Sequence, residues 1–232
     1  MDAVITGATK GMGKAITLRL AEAGYNVFIC SRKQTEIDSF CEEIQQKFGV
    51  KAAGLQTDCA DNEELRHFSE FVKEQTESID VLVNNAGMFS PASILDEPDG
   101  ILSKQMQLNF YSAYFLCRVF GRIMREQRRG HIFNICSIAA LNPVVTAGSY
   151  SVTKAALLSL TKVLREELIK SEVKVTAILP GSTFTASWEG TDLPPERFVS
   201  PEDIASGVLM CLGASSGANV DELIIRPLKG QV

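Results

Sequence analysis

Short apolar runs rich in β-branched residues alternate along the chain with longer stretches of helical period. The apolar runs predict strands at Ala3–Thr6, Asn26–Cys30, Ala52–Gln56, Asp80–Asn84, His131–Cys136, Val173–Leu179 and Glu222–Ile225. Several are continuous, the pattern of a parallel strand buried on both faces. The stretches between them predict helices at Gly13–Ala23, Gln34–Phe48, Asn62–Gln75, about Asp99 to Gln127, Ser149–Ser171 and Pro201–Leu212. The last carries its own start signal, Ser200 as N-cap, Pro201 at the first helical position and Asp203 in the first turn. Seven strands alternating with helices predict an α/β fold, a parallel sheet between two helical layers. No linker or repeat divides it, so residues 1–232 read as one domain. Only Gly181–Val199 breaks the rhythm, with Pro194, Pro195, Phe184, Trp188 and Phe198. A loop of that length, about 182–200, reads as a lid over a site.

Composition narrows the function. A hydrophobic share of 45 % supports a sizeable core, and a formal net charge of −5 disfavours nucleic acid as the main partner. The basic run from Arg118 to Arg129 falls at the end of a helix, where cations complement the dipole. Cys30, Cys41, Cys59, Cys117, Cys136 and Cys211 show no C-x-x-C spacing and read as buried thiols of a reducing compartment. His67 and His131 have no ligand-like neighbours, so no metal is expected. No apolar run approaches the roughly 18 residues that span a bilayer. The expectation is a cytoplasmic protein without a membrane role.

Chemistry concentrates in a few places. Thr6-Gly7-Ala8-Thr9-Lys10-Gly11-Met12-Gly13 follows the first strand and opens the first helix, where glycines let a pyrophosphate approach backbone N–H groups. Tyr150 and Lys154 stand four apart on one helix face, so phenol and ammonium can share a cleft. A cation beside a phenol of pKa about 10 favours the phenolate, making such a Tyr an acid or base for a carbonyl oxygen. Ser137 ends the fifth strand, at the edge where open α/β sheets bind ligands. Asn109 lies inside the long helix, an awkward place for an amide that competes for backbone bonds. Asn84-Asn85-Ala86-Gly87 ends the fourth strand. Singly, each also suits a turn, a cap or a solvated face.

Together, in this order, these pieces resemble the classical short-chain dehydrogenase/reductase family. The resemblance runs from Ala3 to about Pro227 and includes Asp58 after the third strand and Pro180-Gly181 after the sixth. It implies a Rossmann-type three-layer αβα sandwich and an oxidoreductase of CH–OH groups. By this resemblance Tyr150 is the acid/base, and Lys154 binds the nicotinamide ribose and depresses the Tyr pKa. Ser137 orients the substrate oxygen, and Asn109 holds a water of the proton relay. Gly7, Thr9, Gly11, Met12 and Gly13 surround the pyrophosphate, and Asp58 and Cys59 contact the adenine. Asn85, Ala86 and Gly87 line the cofactor cleft, while Pro180, Gly181, Thr183 and Thr185 sit by the nicotinamide.

The second strand ends Cys30-Ser31-Arg32-Lys33, with no carboxylate until Glu36 to hold the ribose hydroxyls of NAD. Arg32 can fork onto a 2′-phosphate, with Ser31 and Lys10 beside it, so NADP(H) is the expected cofactor. The substrate is expected to be a small ketone, aldehyde or secondary alcohol, in a partly apolar pocket near Met88, Phe89, Ile138, Leu141, Phe184 and Trp188. Reduction of 3-oxoacyl thioesters is an alternative, although the seventh strand lacks that subgroup's usual aspartate–glycine ending. A non-catalytic NADP(H) sensor is the alternative of another class, and retention of all four active-site positions disfavours it. Apolar residues on more than one face of the helices at 99–127 and 149–171, among them Tyr111, Tyr114, Phe115, Phe120, Leu157, Leu160 and Leu164, lead us to expect a homodimer or homotetramer.

Overall fold

The computed structural model describes residues 1–185, 188 and 190–231. Its sheet comprises β1 (Asp2–Thr6), β2 (Asn26–Ser31), β3 (Ala52–Gln56), β4 (Val81–Asn84), β5 (His131–Ile135), β6 (Lys174–Pro180) and β7 (Glu222–Ile225). All pairings are parallel, in the order β3-β2-β1-β4-β5-β6-β7. Chain direction across the sheet therefore reverses between β1 and β4, and such a switch point opens a crevice at the carboxyl ends of the strands.

The helices are α1 (Gly11–Glu22), α2 (Gln34–Phe48), α3 (Asn62–Gln75), α4 (Ile101–Met106), α5 (Ser112–Gln127), α6 (Gly148–Leu168) and α7 (Pro201–Leu212). Alternation along the buried strands divides the core. Ala3, Ile5, Val27 and Ile29 pack with Ile16 and Leu20 of α1, Phe40 of α2 and Val208 of α7. Val4, Phe28 and Leu82 point the other way, onto Phe68 of α3 and Leu116, Phe120 and Met124 of α5. This is the expected αβα sandwich. Local chemistry sets the helix ends. Asp61 accepts from the backbone N–H groups of Glu63 and Glu64, and Ser200 with Asp203 closes a capping box. Gly49, at φ 68°, takes the left-handed position that ends α2.

The long helix anticipated at 99–127 differs. It starts at Ile101, and a π-helical turn at Gln107–Tyr111 separates α4 from α5. Of the loop aromatics, Phe184 is exposed while Phe198 is not. Phe198 is buried, its ring centre 4.9 Å from that of Trp188 and 5.4 Å from that of Phe184. Of the loop expected as a lid at 182–200, residues 186, 187 and 189 lie outside the described residues.

Candidate active site

Three strand ends build the floor of the site. After β1 the chain turns through Gly7 (φ +62°) and Gly11 (φ +52°), left-handed positions that only glycine adopts at little cost. A side chain on Gly13 would collide with the Gly7 carbonyl and lie 2.5 Å from Asn85 Nδ2. Asn85 fixes the loop from the neighbouring strand, donating to the Thr6 and Gly7 carbonyls at 3.0 and 3.1 Å. The Thr6 hydroxyl in turn accepts from the Asn85 and Ala86 N–H groups at 3.0 and 2.9 Å. The turn therefore presents the first N–H groups of α1 at the crevice, and Lys10, its N-cap, makes no side-chain cap bond. An anionic pyrophosphate fits this cradle.

The catalytic candidates come from β5, the π-helical turn and α6. Lys154 is buried, and its Nζ donates to the Ile135 carbonyl at 2.8 Å. Burial pulls its ammonium down to about 8, partly opposed by Cys136. Tyr150, one turn earlier, stacks edge-on against Phe89 at 5.0 Å and hydrogen-bonds Ser137. Ser137 also accepts from the Ala139 N–H at 3.1 Å. The expected depression of the Tyr150 phenol is corrected here. Burial raises its pKa, the Ser137 hydrogen bond offsets part of the rise, and Cys136 adds to it. Desolvation is the largest of these effects, since covering the phenol penalises its charged form.

Asn109 lies within the π-helical turn, which resolves its awkward position. A π turn displaces part of the backbone ladder, and such turns favour functional sites. Its side chain accepts from the Met88 N–H at 2.7 Å and donates to the Met88 carbonyl and the Thr153 hydroxyl, each at 3.0 Å. A Cβ on Gly87 would meet Asn109 Oδ1 at 3.3 Å and Lys154 Nζ at 3.5 Å. Asn109, Gly87 and Lys154 therefore meet at one point. The segment after β4 clamps the first turn of α6, with Ala92 accepting from the Gly148 N–H at 3.0 Å and Glu97 accepting from the Ser149 hydroxyl.

The remaining positions surround this core. Asn84 serves the sheet, its amide donating to Asn134 at 2.8 Å. Asp58 accepts from the Ala60 N–H at 2.9 Å, and buried Cys59 lies 3.7 Å from Cys30, sulfur to sulfur. Pro180 is the last residue of β6, Gly181 follows it, and the Thr183 hydroxyl donates to the Gly181 carbonyl at 2.9 Å. Thr185 closes over the glycine turn, 3.2 Å from where a Gly11 Cβ would stand. Met12 lies in the first turn of α1 and packs on the core. Arg32 is exposed at the end of β2, and Thr9 and Ser31 share a hydrogen bond of 2.8 Å. Sequence reasoning named Thr6 only within the glycine motif and Phe89 only near the substrate pocket, and missed Thr153, whose signal was its place three positions after Tyr150 and so near its helix face.

The profile of the short chain dehydrogenase family matches residues 2–193. This chain belongs to that family. An oxidoreductase of Staphylococcus aureus (strain MW2) is 31 % identical over 226 residues, covering 97 % of this chain and 96 % of the relative. Among solved structures, the alcohol dehydrogenase of Thermococcus sibiricus, complexed with 5-hydroxy-NADP, superposes with a TM-score of 0.92 at 25 % identity, covering 100 % of this chain and 98 % of that one. The L-sorbose reductase of Gluconobacter frateurii, complexed with NADPH and L-sorbose, gives 0.90 at 28 %, covering 97 % and 95 %. As a short chain dehydrogenase the chain is an oxidoreductase, and its described residues hold no cluster of His, Cys, Asp and Glu able to bind a metal. No helix among them is long and apolar enough to cross a membrane.

Proposed function

We propose that this short chain dehydrogenase is an NADP(H)-dependent reductase of small, uncharged ketones or aldehydes, working reversibly on secondary alcohols. The observation that carries the reading is the convergence of Ser137, Tyr150 and Lys154 beside the glycine turn, at the carboxyl edge of the sheet. The NADP and NADPH complexes of its structural neighbours support the cofactor. Gly7 and Gly13 give the pyrophosphate room, and Lys154 reaches the ribose. The bound nicotinamide supplies or accepts the hydride. Ser137 donates to the substrate oxygen and holds it toward Tyr150, whose phenol protonates that oxygen as charge develops on it. Burial keeps this phenol protonated at neutral pH, the form reduction needs. Lys154 then restores the proton, and Asn109 orders the path toward solvent.

Charge around the clamp favours uncharged substrates over acyl thioesters. Residues 88–103 contain Asp96, Glu97 and Asp99 but no Lys or Arg, and residues 130–153 contain no Asp, Glu, Lys or Arg. Neither segment offers a cation to the phosphates of an acyl carrier. The exposed Phe89, Ile94 and Val144 supply apolar contact instead. The protein works in the cytoplasm as a homo-oligomer joined through α5 and α6. Phe120 and Leu157 are spent in the core, but Tyr111, Tyr114, Val152 and Val163 remain exposed.

Tyr150→Phe tests the assignment. Losing one general acid should lower kcat about 10²- to 10⁴-fold while NADPH affinity stays within about threefold. A variant retaining a tenth of wild-type kcat would remove Tyr150 from the role.

A further inference from the structure

We infer that Glu36 is a built-in competitor for the 2′-phosphate of the dinucleotide and limits how strongly the chain prefers NADP(H) over NAD(H). The inference rests on the dinucleotide reading above. In the sequence Glu36 stands five positions beyond Ser31, too far along to act as an acid at the strand end. The fold brings it back. Because α2 begins at Gln34, Glu36 falls in its first turn and faces the loop between β1 and α1. Its carboxylate pairs with Lys10 Nζ at 3.3 Å and Lys33 Nζ at 3.2 Å, and accepts from the Thr9 hydroxyl at 3.4 Å. Thr9 also bonds Ser31. Only Arg32, of the cations expected to grip the phosphate, has no ion pair among the described residues.

The consequence follows from charge. One carboxylate already occupies both ammoniums, so a phosphate dianion must draw them away from Glu36 and then lie beside a like charge. The hydrogen bond and charge of Lys33, with those of Lys10, hold the Glu36 carboxyl below its ordinary value, so it remains anionic at neutral pH. A 2′-hydroxyl meets the opposite situation, an acceptor instead of a repelling anion. Coulomb repulsion between a dianion and a carboxylate about 5–6 Å apart in a water-like dielectric corresponds to about tenfold in affinity. A purely structural alternative also exists, since an acid in a first turn complements the helix dipole. The two roles give different binding patterns.

The experiment titrates adenosine 2′,5′-bisphosphate and ADP, by calorimetry, into the wild type, Glu36→Gln, Glu36→Asp and Arg32→Asp. Glu36→Gln should bind the bisphosphate about tenfold more tightly and ADP within about twofold of wild type, with a gain that shrinks as salt is added. Glu36→Asp, one methylene shorter, should fall between. Arg32→Asp should shift bisphosphate affinity the opposite way. The NADPH/NADH ratio of kcat/KM should follow the same order. Unchanged bisphosphate affinity in Glu36→Gln overturns the inference. So does equal weakening of both ligands with a lower melting temperature, the mark of a structural role. A wild type that binds neither ligand overturns the dinucleotide reading itself, and does so before any variant is compared.

Discussion

Replacing Lys154 by Met should make the protein more stable and nearly inactive, with the stability gain depending on pH. In the folded chain the ammonium loses its proton near pH 8, against 10.5 for a free lysine. Between those values the unfolded chain binds more protons, so folding stability falls as pH drops from about 10.5 to about 8. Below 8 the full penalty persists, about 3 kcal/mol at 1.36 kcal/mol per pKa unit. Methionine has nearly the same shape and removes the penalty. It also removes the 2.8 Å bond to the Ile135 carbonyl, a loss of about 1 kcal/mol. The net gain at pH 7 is therefore about 2 kcal/mol, or roughly 4–8 °C in Tm for a chain of this size. At pH 10.5 the penalty has faded and the wild type should be level or slightly ahead. Urea unfolding without dinucleotide at pH 7 and pH 10, beside kcat/KM with NADPH, measures both halves. A Met variant less stable than wild type at pH 7, or a difference that does not move with pH, would refute the reasoning.

Three further outcomes can be checked directly. Burial pulls His131 down to about 3, with Lys174 adding to the shift, so the wild type should lose roughly 1.4 kcal/mol per pH unit below about 6.5 as the unfolded chain takes up the proton; in acid unfolding, His131→Gln should show a shallower slope, and an unchanged slope would clear His131 of the role. Gly13→Ala should cost about 1–3 kcal/mol and abolish NADPH binding, because its methyl enters the space of Gly7 and Asn85; binding retained within about threefold would contradict the cradle. Light scattering should show a dimer or tetramer that Tyr114→Glu dissociates, and a wild-type monomer at micromolar concentration would contradict pairing through α5 and α6.

The sheet was legible because strands buried on both faces must be apolar throughout, and all seven fall within one residue of their anticipated ends. The π-helical turn was not, since one extra residue in a turn barely disturbs a helical period over nearly thirty positions. The only trace was Asn109 itself, an amide where a helix interior disfavours one. Glu36 was hidden for another reason. Spacing along the chain says nothing about which way the first turn of α2 faces, and its ion pair with Lys10 joins segments 26 residues apart. The Tyr150 pKa failed as a matter of magnitude. Sequence reveals the charge four residues away, while the larger effect, loss of water, depends on what β5, α6 and the segment after β4 cover together.

That loss of water gives the proposed proton path a direction. The Tyr150 phenol is raised above its ordinary 10, whereas Lys154 is lowered to about 8. Once Tyr150 has protonated the substrate oxygen, its phenolate is the stronger base of the two, so the proton flows from Lys154 to Tyr150. Lys154, close to ambient pH, then recovers a proton from solvent at little cost. If both groups kept their solution values, near 10 and 10.5, that step would have almost no driving force. The same burial that costs about 3 kcal/mol of stability at Lys154 thus sets the two groups apart in the order that drives the proton toward the substrate. Ser137 limits it from the other end, since its hydrogen bond keeps the phenol from becoming too weak an acid to give its proton up. Ser137→Ala should therefore raise the Tyr150 pKa further and lower kcat at saturation more in the reductive direction than in the oxidative one, the ratio of the two kcat/KM values being fixed by the equilibrium constant. Equal losses in both directions would leave Ser137 with substrate orientation alone.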